Sequence, residues 1–409
     1  MSNAFQMGQI LHEAEAAHGE NVNTYTTMQW PIIGAVDVSG LVQAKIDSMR
    51  TMAYRNAGTP YLLGVQGGSF KTKMYLPGHG STTAGATTIG LLETLLGIVL
   101  GLVAVSAASG TTFAAGSTVT ALNTVASATF AAGSLFKGGT LGDARVNAQW
   151  GVVASHVGTV LTSLVAVPVV PIATDVLYSA VNLYTPENPT TSAITTIRAQ
   201  LLTANLVYNT HGVYPKSFTI SGSNFQEFLT IEIEWGVSWF SEAGGVTFPS
   251  TVATERFNGA PNVGGSVFVN DVGTATRSTR NARNFSITYK LGIIEQPGPG
   301  GVNAYQSTVA CRRKPDEIMV SWTEDAPAQT ATPTPVTDST ATTPKHVLVT
   351  FTTPIGSSVA MYMPNVVITE RPVQLVENGI NSLRFTGRAF TGPTNTTDLT
   401  GSAFRIGLA

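Results

Sequence analysis

The chain has 409 residues, a formal net charge of -2 and charged side chains at only 11% of positions, against roughly 25% in an average soluble protein. A hydrophobic content of 43% with 17 Phe excludes a disordered chain. The isoelectric point near 6.3 argues against a dedicated nucleic-acid binder, which would carry a basic face. The length accommodates one large domain or two ordinary ones. So little charge implies that much of the surface is hidden, either against copies of the chain or in a membrane. The single cysteine, Cys311, excludes an intrachain disulfide and suits a reducing cytoplasm. Met1 to Gln6 lack the basic start and apolar core of a signal peptide, so no export is expected.

In chain order, Met7, Ile10, Leu11, Ala14 and Ala17 recur at helical spacing, which predicts a first helix with Asn3 as its cap. Val42, Ile46, Met49 and Ala53 predict a second, capped by Ser39 and ended by Gly58. Residues 1–60 therefore read as an N-terminal helical arm. Tyr61 to Leu76 reads as a strand, with Phe70, Thr72, Met74 and Leu76 alternating with Lys71, Lys73 and Tyr75. Ile89 to Val105 is the most apolar run, expected as a helix near 88–106 packed on a sheet. Ser106 to Phe136 is mostly Ala, Thr, Gly and Ser without charge, a weak pattern for strands or extended loops. Leu164 to Ile172 carries Pro168 and Pro171 and reads as a covered loop or edge. Ala193 to Tyr208 fits helix or strand equally. From Lys216 the chain reads β, through Phe218 and Ile220, Ile231 to Trp235, Phe285 to Tyr289, and Leu383 to Ala389. A Gly-Pro turn follows Gln296, and a Pro/Thr/Ala stretch over 323–345 reads as an exposed loop. The expected division is a first β domain over 61–240 and a second β-rich domain or half over 241–409.

One internal echo stands out. Tyr214 to Ser221 followed by Leu229 to Val237 has the order of Tyr362 to Thr369 followed by Leu383 to Ala389. Ser69 to Leu76 likewise echoes Asn284 to Leu291. A tandem duplication and the general likeness of half-buried strands both account for this.

Motifs that carry chemistry are incomplete. Gly80 to Thr87 sits where a phosphate-binding loop would, but Ala86 replaces the lysine that neutralises the phosphates. Gly97 and Gly101 form a G-x-x-x-G in a run barely long enough to span a bilayer. That run contains Glu93 and lacks a basic flank, so packing against a sheet is the better reading. His12 and His18 are six apart and cannot share a helical face as zinc ligands do. Glu232 and Glu234 on one strand face read as a solvated face, and Arg312 to Lys314 as a surface turn. No G-x-S-x-G elbow occurs. The chain is accordingly read as a non-enzyme with no catalytic, cofactor-binding or metal-ligating residues.

Four stretches together resemble the tail tube proteins of tailed double-stranded DNA bacteriophages. They are Gly8 to Gly19, Gly34 to Gly40, Gly78 to Gly80 with the helix after it, and the C-terminal segment. That segment runs Ser357 to Pro372, Asn381 to Phe390 and Asp398 to Ala409, and is the best match. The resemblance implies a mostly β, α+β fold: a tail-tube-type β-sandwich or barrel with a flanking helix. It implies a structural virion protein, made in the bacterial cytoplasm, that self-assembles into stacked rings around a channel for DNA. Six copies per ring are implied for a single domain and three, in a pseudo-hexameric ring, for a duplicated one. Met1 to Trp30 and Phe404 to Ala409 would be contact arms, and 323–345 would lie outside the tube. Implied partners are the chain itself and other tail proteins: tape measure, terminator, distal tail and sheath. DNA would pass transiently, and no membrane is implied. The alternatives are another tail component of the same fold (terminator, distal tail or baseplate), a membrane protein inserting Leu91 to Val105, and a nucleotide-binding enzyme using Gly80 to Thr87.

Overall fold

The computed structural model describes residues 9–16, 25, 30–46 apart from 31 and 35, 62–78 apart from 77, 91–105 apart from 101, and 111–139 apart from 126–129. It continues through 149–185 apart from 174, 196–223 apart from 203–205, 228–244, and 265–297 apart from 276–278 and 281. The remaining described residues are 308–325 apart from 313–315, 344–391 apart from 352–357, 371–372 and 378–379, and 400–409.

The fold is mostly β and its pairings are antiparallel. The strands β1 (Gln9–Ala14), β2 (Leu41–Ile46) and β3 (Leu62–Tyr75) precede helix α1 (Leu91–Leu100) and β4 (Leu102–Val105). Then come β5 (Thr111–Thr112), β6 (Ala121–Asn123), β7 (Leu135–Gly139), β8 (Gln149–Val157), β9 (Val160–Ser163), β10 (Val176–Ser179) and β11 (Val181–Tyr184). The chain continues with β12 (Ile197–Leu202), β13 (Val207–Ser223), β14 (Thr230–Ala243), β15 (Gly265–Asp271), β16 (Thr279–Arg280) and β17 (Ala282–Lys290). It closes with β18 (Ile293–Pro297), β19 (Thr308–Arg312), β20 (Glu317–Asp325), β21 (Lys345–Phe351), β22 (Val359–Ile368), β23 (Val373–Glu377), β24 (Ile380–Ala389) and β25 (Arg405–Leu408).

Two of the expected helices are strands where they are described. Residues 9–14 form β1, paired along its length with β12, and 41–46 form β2, paired with β3. Ile10 packs into the main core, while its neighbour Leu11 packs with Leu202, Val207 and Tyr25. Adjacent apolar residues covered on opposite faces define a buried strand, not one helical stripe. The remainder of the second expected helix, 47–58, lies outside the described residues. The apolar run from Ile89 also divides: α1 ends at Leu100 and Leu102–Val105 is a strand paired with β11. The undecided stretch 193–208 resolves as β12 and the start of β13.

The strands of the body hydrogen-bond into one continuous 17-stranded sheet folded over a single core, whose two sides are the layers of the body. One layer runs β2, β3, β14, β13, β17, β20, β24, each paired with the next. The other contains β1 with β12, and β25 with β11 and β4, with α1 packed against β4, β11 and β13. The layers enclose one core. Phe70, Ile231, Ile233, Trp235, Phe218 and Ile287 enter from the first, and Leu96, Val99, Leu183, Leu201 and Ile406 from the second. Phe404 bridges them, with its ring 6.1 Å from Phe218 and 6.3 Å from Tyr289. Residue 240 falls within this shared sheet and core, since β13 and β17 pair directly.

The echoed segments share one local device. β13 pairs on one edge with β12 as far as Val213 and with β17 from Ser217, with a register shift after Pro215. β22 pairs with β25 as far as Tyr362 and with β24 from Val366, on either side of Pro364. A proline cannot donate to a ladder, so it suits the point where a strand changes partner. The second halves of the echo differ. β14 follows β13 from Val207 to Ser221, whereas β24 meets β22 only over Val366 to Ile368.

Between the paired strands β4 and β11 the chain leaves the body and builds a second unit, β5 to β10. Its strands pair in the order β5, β10, β7, β8, β9, β6. A bridge between Phe113 and Thr124, with Val125 N donating to Thr112 O at 2.9 Å, joins β6 back to β5 and closes a small barrel. Phe113, Leu122, Phe130, Phe136, Val153, Leu161 and Leu177 fill it. At Gly151 a Cβ would lie 2.2 Å from the Phe136 ring, so only glycine lets that ring occupy the interior. The Pro168 to Pro171 segment is a loop without a strand, as its prolines require, but it is not covered: Val169, Val170 and Ile172 are exposed.

Candidate assembly surfaces

The first layer of the body leaves one broad face open. Over the rows that follow, alternate residues of β3, β14, β13, β17, β20 and β24 enter the core and the others form registered rows on the outside, whereas Trp235 to Phe240 of β14 are buried throughout. Lys71 faces Glu234, and Lys73 faces Glu232. Glu232 is opposite Thr219, Thr219 opposite Thr288, Thr288 opposite Met319 and Met319 opposite Arg388. The next row runs Tyr75, Thr230, Ser221, Ser286, Ser321, Thr386. Hydroxyls meet within these rows, Thr219 with Thr288 at 3.3 Å and Ser221 with Thr230 at 3.4 Å. The exposed pair Lys290 and Glu317 stands 3.7 Å apart, a contact worth little in water. A shallow groove of about 420 Å³ runs over β17, β20 and β24, lined by Asn284, Ser286, Thr288, Met319, Ser321 and Arg384. Glu232 and Glu234 thus belong to a solvated face with lysines as cross-strand neighbours.

Several strands of the body are paired mainly on one side among the described residues. Among the described residues β1 has a strand partner only on its β12 side, and β4 only on its β11 side. β15 is paired along its length with β21 but is covered on its other edge only by the two residues of β16. Trp30 N also donates to Ile10 O of β1 at 3.0 Å, and a strand paired on one side is in general a template for further strand pairing.

The C-terminal segment is not the free arm that the resemblance implies. β25 lies between β11 and β22, and all four of its residues are buried. Phe404, Ile406 and Leu408 enter the main core. Arg405 points the other way, donating to Gly133 O at 3.0 Å and Thr400 O at 2.8 Å, with its guanidinium 5.3 Å from the Tyr362 ring centre. Burial pushes the Tyr362 hydroxyl up to about 12, an effect that the Arg405 charge partly offsets. The N-terminal segment is also inside the fold where it is described. Trp30 Nε1 donates to His12 Nδ1 at 2.9 Å, and the Trp30 ring lies 5.1 Å from Trp235. Burial holds the His12 imidazole down to about 4, so at neutral pH it is uncharged and can accept that bond.

The barrel is seated on the body by a largely apolar junction. Leu135, Trp150, Val152 and Val165 of the barrel pack on Phe268, Leu348, Ala360 and Tyr362. This covers the outer side of β15, β21 and β22 and explains why every residue of β21 is buried. A Cβ on Gly407 would lie 2.8 Å from the Leu135 Cβ, so glycine permits this approach. Asn182 spans the joint, its Oδ1 accepting from Leu135 N at 2.7 Å. Lys137 crosses it and donates to Ser358 Oγ. That amine is buried against a neutral hydroxyl, and burial alone pushes it down to about 8.

The other chemical motifs are only partly in view. Gly80 to Thr87 and His18 lie outside the described residues, as do Arg313, Lys314 and all but the ends of the 323–345 loop. Among the described residues no three His, Cys, Asp or Glu side chains lie together as a metal site would require, and no helix is long and apolar enough to cross a membrane. Composition gave no sign of the inserted barrel or of the open hydroxyl face as units, because both depend on pairings between distant strands. No family model and no curated protein sequence matches this chain.

Proposed function

We propose that the chain is a self-assembling structural protein of the tail-tube type, whose copies close into stacked rings around a channel for DNA. The observation that carries the reading is the body's sheet, with one face buried and the other a six-strand array of hydroxyl and mixed-charge rows. Such a face suits a channel wall. It offers water and brief polar contacts to a passing polyanion without a basic patch to retain it. A strand such as β4, paired on one side among the described residues, supplies the means to continue sheets from copy to copy, and ring closure removes such edges. At about 4.8 Å between strands, six strands contribute roughly 29 Å of wall per copy. Partners on this reading are the chain itself and neighbouring tail proteins, in a virion. Because β25 and the described part of the N-terminal segment are built into the body, stacking is assigned to loops and to the barrel. Negative-stain imaging of the purified chain tests the proposal. Hollow tubes or stacked rings support it, and discrete rings that never stack favour a terminator or distal-tail role. A monodisperse monomer at every concentration overturns it.

A further inference from the structure

Charge on the open face is matched on one part and unmatched on another. Lys71, Lys73 and Lys290 stand in register with Glu234, Glu232 and Glu317. The two described arginines of the face, both on β24, have no acid opposite them. Arg384 lies between Thr323 and Val373, and Arg388 between Met319 and Val367. Among the described residues neither guanidinium makes an ion pair. Arg384 is exposed, and Arg388 stands over the Phe390 ring at 5.5 Å. The hydroxyls divide in the same way. Thr219 and Ser221 are engaged with Thr288 and Thr230. The registered row Ser286, Ser321 and Thr386 has no side-chain hydrogen bond among the described residues. These three line the groove of about 420 Å³ together with Asn284, Thr323 and Arg384.

Every polar side chain of that groove can donate a hydrogen bond, and none is a carboxylate. A guanidinium beside hydroxyl and amide donors matches the oxygens of a phosphate, which accept from all of them. A neutral sugar would need an exposed ring to lie on, and the rings beneath the groove, Phe285 and Trp322, are buried. Arg384 and Arg388 are four residues apart on one side of a strand, about 14 Å at 3.4 Å per residue. One phosphate cannot reach both, so the pair suits a ligand whose anions repeat along a line. We propose that the groove at Arg384, with Arg388 beyond it, binds two phosphates of a nucleic-acid backbone. This rests on the channel reading, which supplies the polyanion, and adds to it the points at which DNA touches the wall. Two contacts release few counterions, so the grip of each copy is weak and is lost as salt rises.

The test titrates the full chain with a duplex of about 12 base pairs, roughly 41 Å long at 3.4 Å per pair. A duplex this short reaches the face in the free chain and enters an assembled tube. Microscale thermophoresis over a salt series reads the affinity. Arg384→Gln and Arg388→Gln should each reduce the log–log salt slope by about 0.9 and lower affinity about 25-fold at about 25 mM salt. Both side chains lie on the outer face, so the melting temperature should not move. Lys73→Gln removes the same charge and should leave the slope unchanged. Ser286→Ala/Ser321→Ala should weaken binding at every salt concentration and leave the slope alone. Wild type that binds no duplex at about 10 mM salt overturns the proposal, as does a slope that the arginine variants do not change or that Lys73→Gln changes equally. One outward place beyond Arg384, Ser382 faces Asp325. A steeper slope in Asp325→Asn would show Arg384 already neutralised and overturn its role. Displacement of the duplex by inorganic phosphate at matched ionic strength would assign the groove to free phosphate, and displacement by oligoglutamate to an acidic peptide. Either result overturns the nucleic-acid assignment. Tubes or rings that bind no duplex leave the assembly reading standing without this site. A chain that binds duplex as described yet never assembles keeps the site and loses that reading.

Discussion

Lys137→Met should make the protein more stable, although it removes a hydrogen bond. Lys137 lies in the junction between barrel and body, 2% exposed, with the Ser358 hydroxyl as acceptor. Burial lowers its amine from 10.5 to about 8. At about 1.36 kcal/mol per tenfold change in proton affinity, that drop is a penalty of about 3 kcal/mol for carrying the charge into the folded state at neutral pH. Loss of the bond to Ser358 returns about 1 kcal/mol. Methionine keeps the length and adds no charge, so the net expectation is a gain of about 2 kcal/mol at pH 7. The sign of the pH dependence is fixed. Between about 8 and 10.5 the unfolded chain holds a proton that the folded chain has released, so wild-type stability from this group rises with pH through that window. Urea unfolding of both proteins at pH 7 and pH 10.5 reads the difference, and the variant's advantage should shrink by most of the 3 kcal/mol at the higher pH. A variant less stable than wild type, or an advantage unchanged with pH, would refute the reasoning.

Two further outcomes follow from the same structure. Deleting 404–409 should abolish folding rather than trim an arm, because β25 separates β11 from β22 and Phe404 joins the two layers. Soluble yield and far-UV circular dichroism read this, and a folded deletion variant that forms unstacked rings would restore the arm. His12, lowered by burial from 6.5 to about 4, resists the proton that the unfolded chain takes up. Stability should therefore fall by about 2–3 kcal/mol as pH drops from 7 to 4.5. His12→Gln keeps an acceptor for Trp30 and should remove that part of the slope in urea titrations at the two pH values. An unchanged slope would count against it.

Much of the body was legible from period-two alternation, because its strands have one dry and one wet face. Phe218 and Ile220, Ile231 to Trp235, Phe285 to Tyr289, and Phe385 to Ala389 are buried at alternate positions as the pattern requires. The misreadings occur where both faces are covered. Ile10 and Leu11 look like part of a helical stripe only if one face is assumed to be buried. Phe404 to Leu408 looked like an apolar arm because Arg405 and Gly407 sit between its apolar residues, yet Arg405 is itself buried with carbonyl partners. The run from Ile89 gave no warning that it would divide at Leu100, since Leu102 to Val105 is as apolar as the helix before it. The barrel was least legible. Its strands are two to nine residues long, rich in Ala, Thr and Gly, and closed by contacts such as Phe113 with Thr124 that local pattern does not encode.

The most direct test of the central claim is a cryo-electron microscopy reconstruction of the assembled wild-type chain. The account predicts closed rings whose channel is lined by the rows through Lys73, Glu232, Thr219, Thr288 and Arg388. Rings in which that face points outward, or a chain that never forms rings, would contradict it.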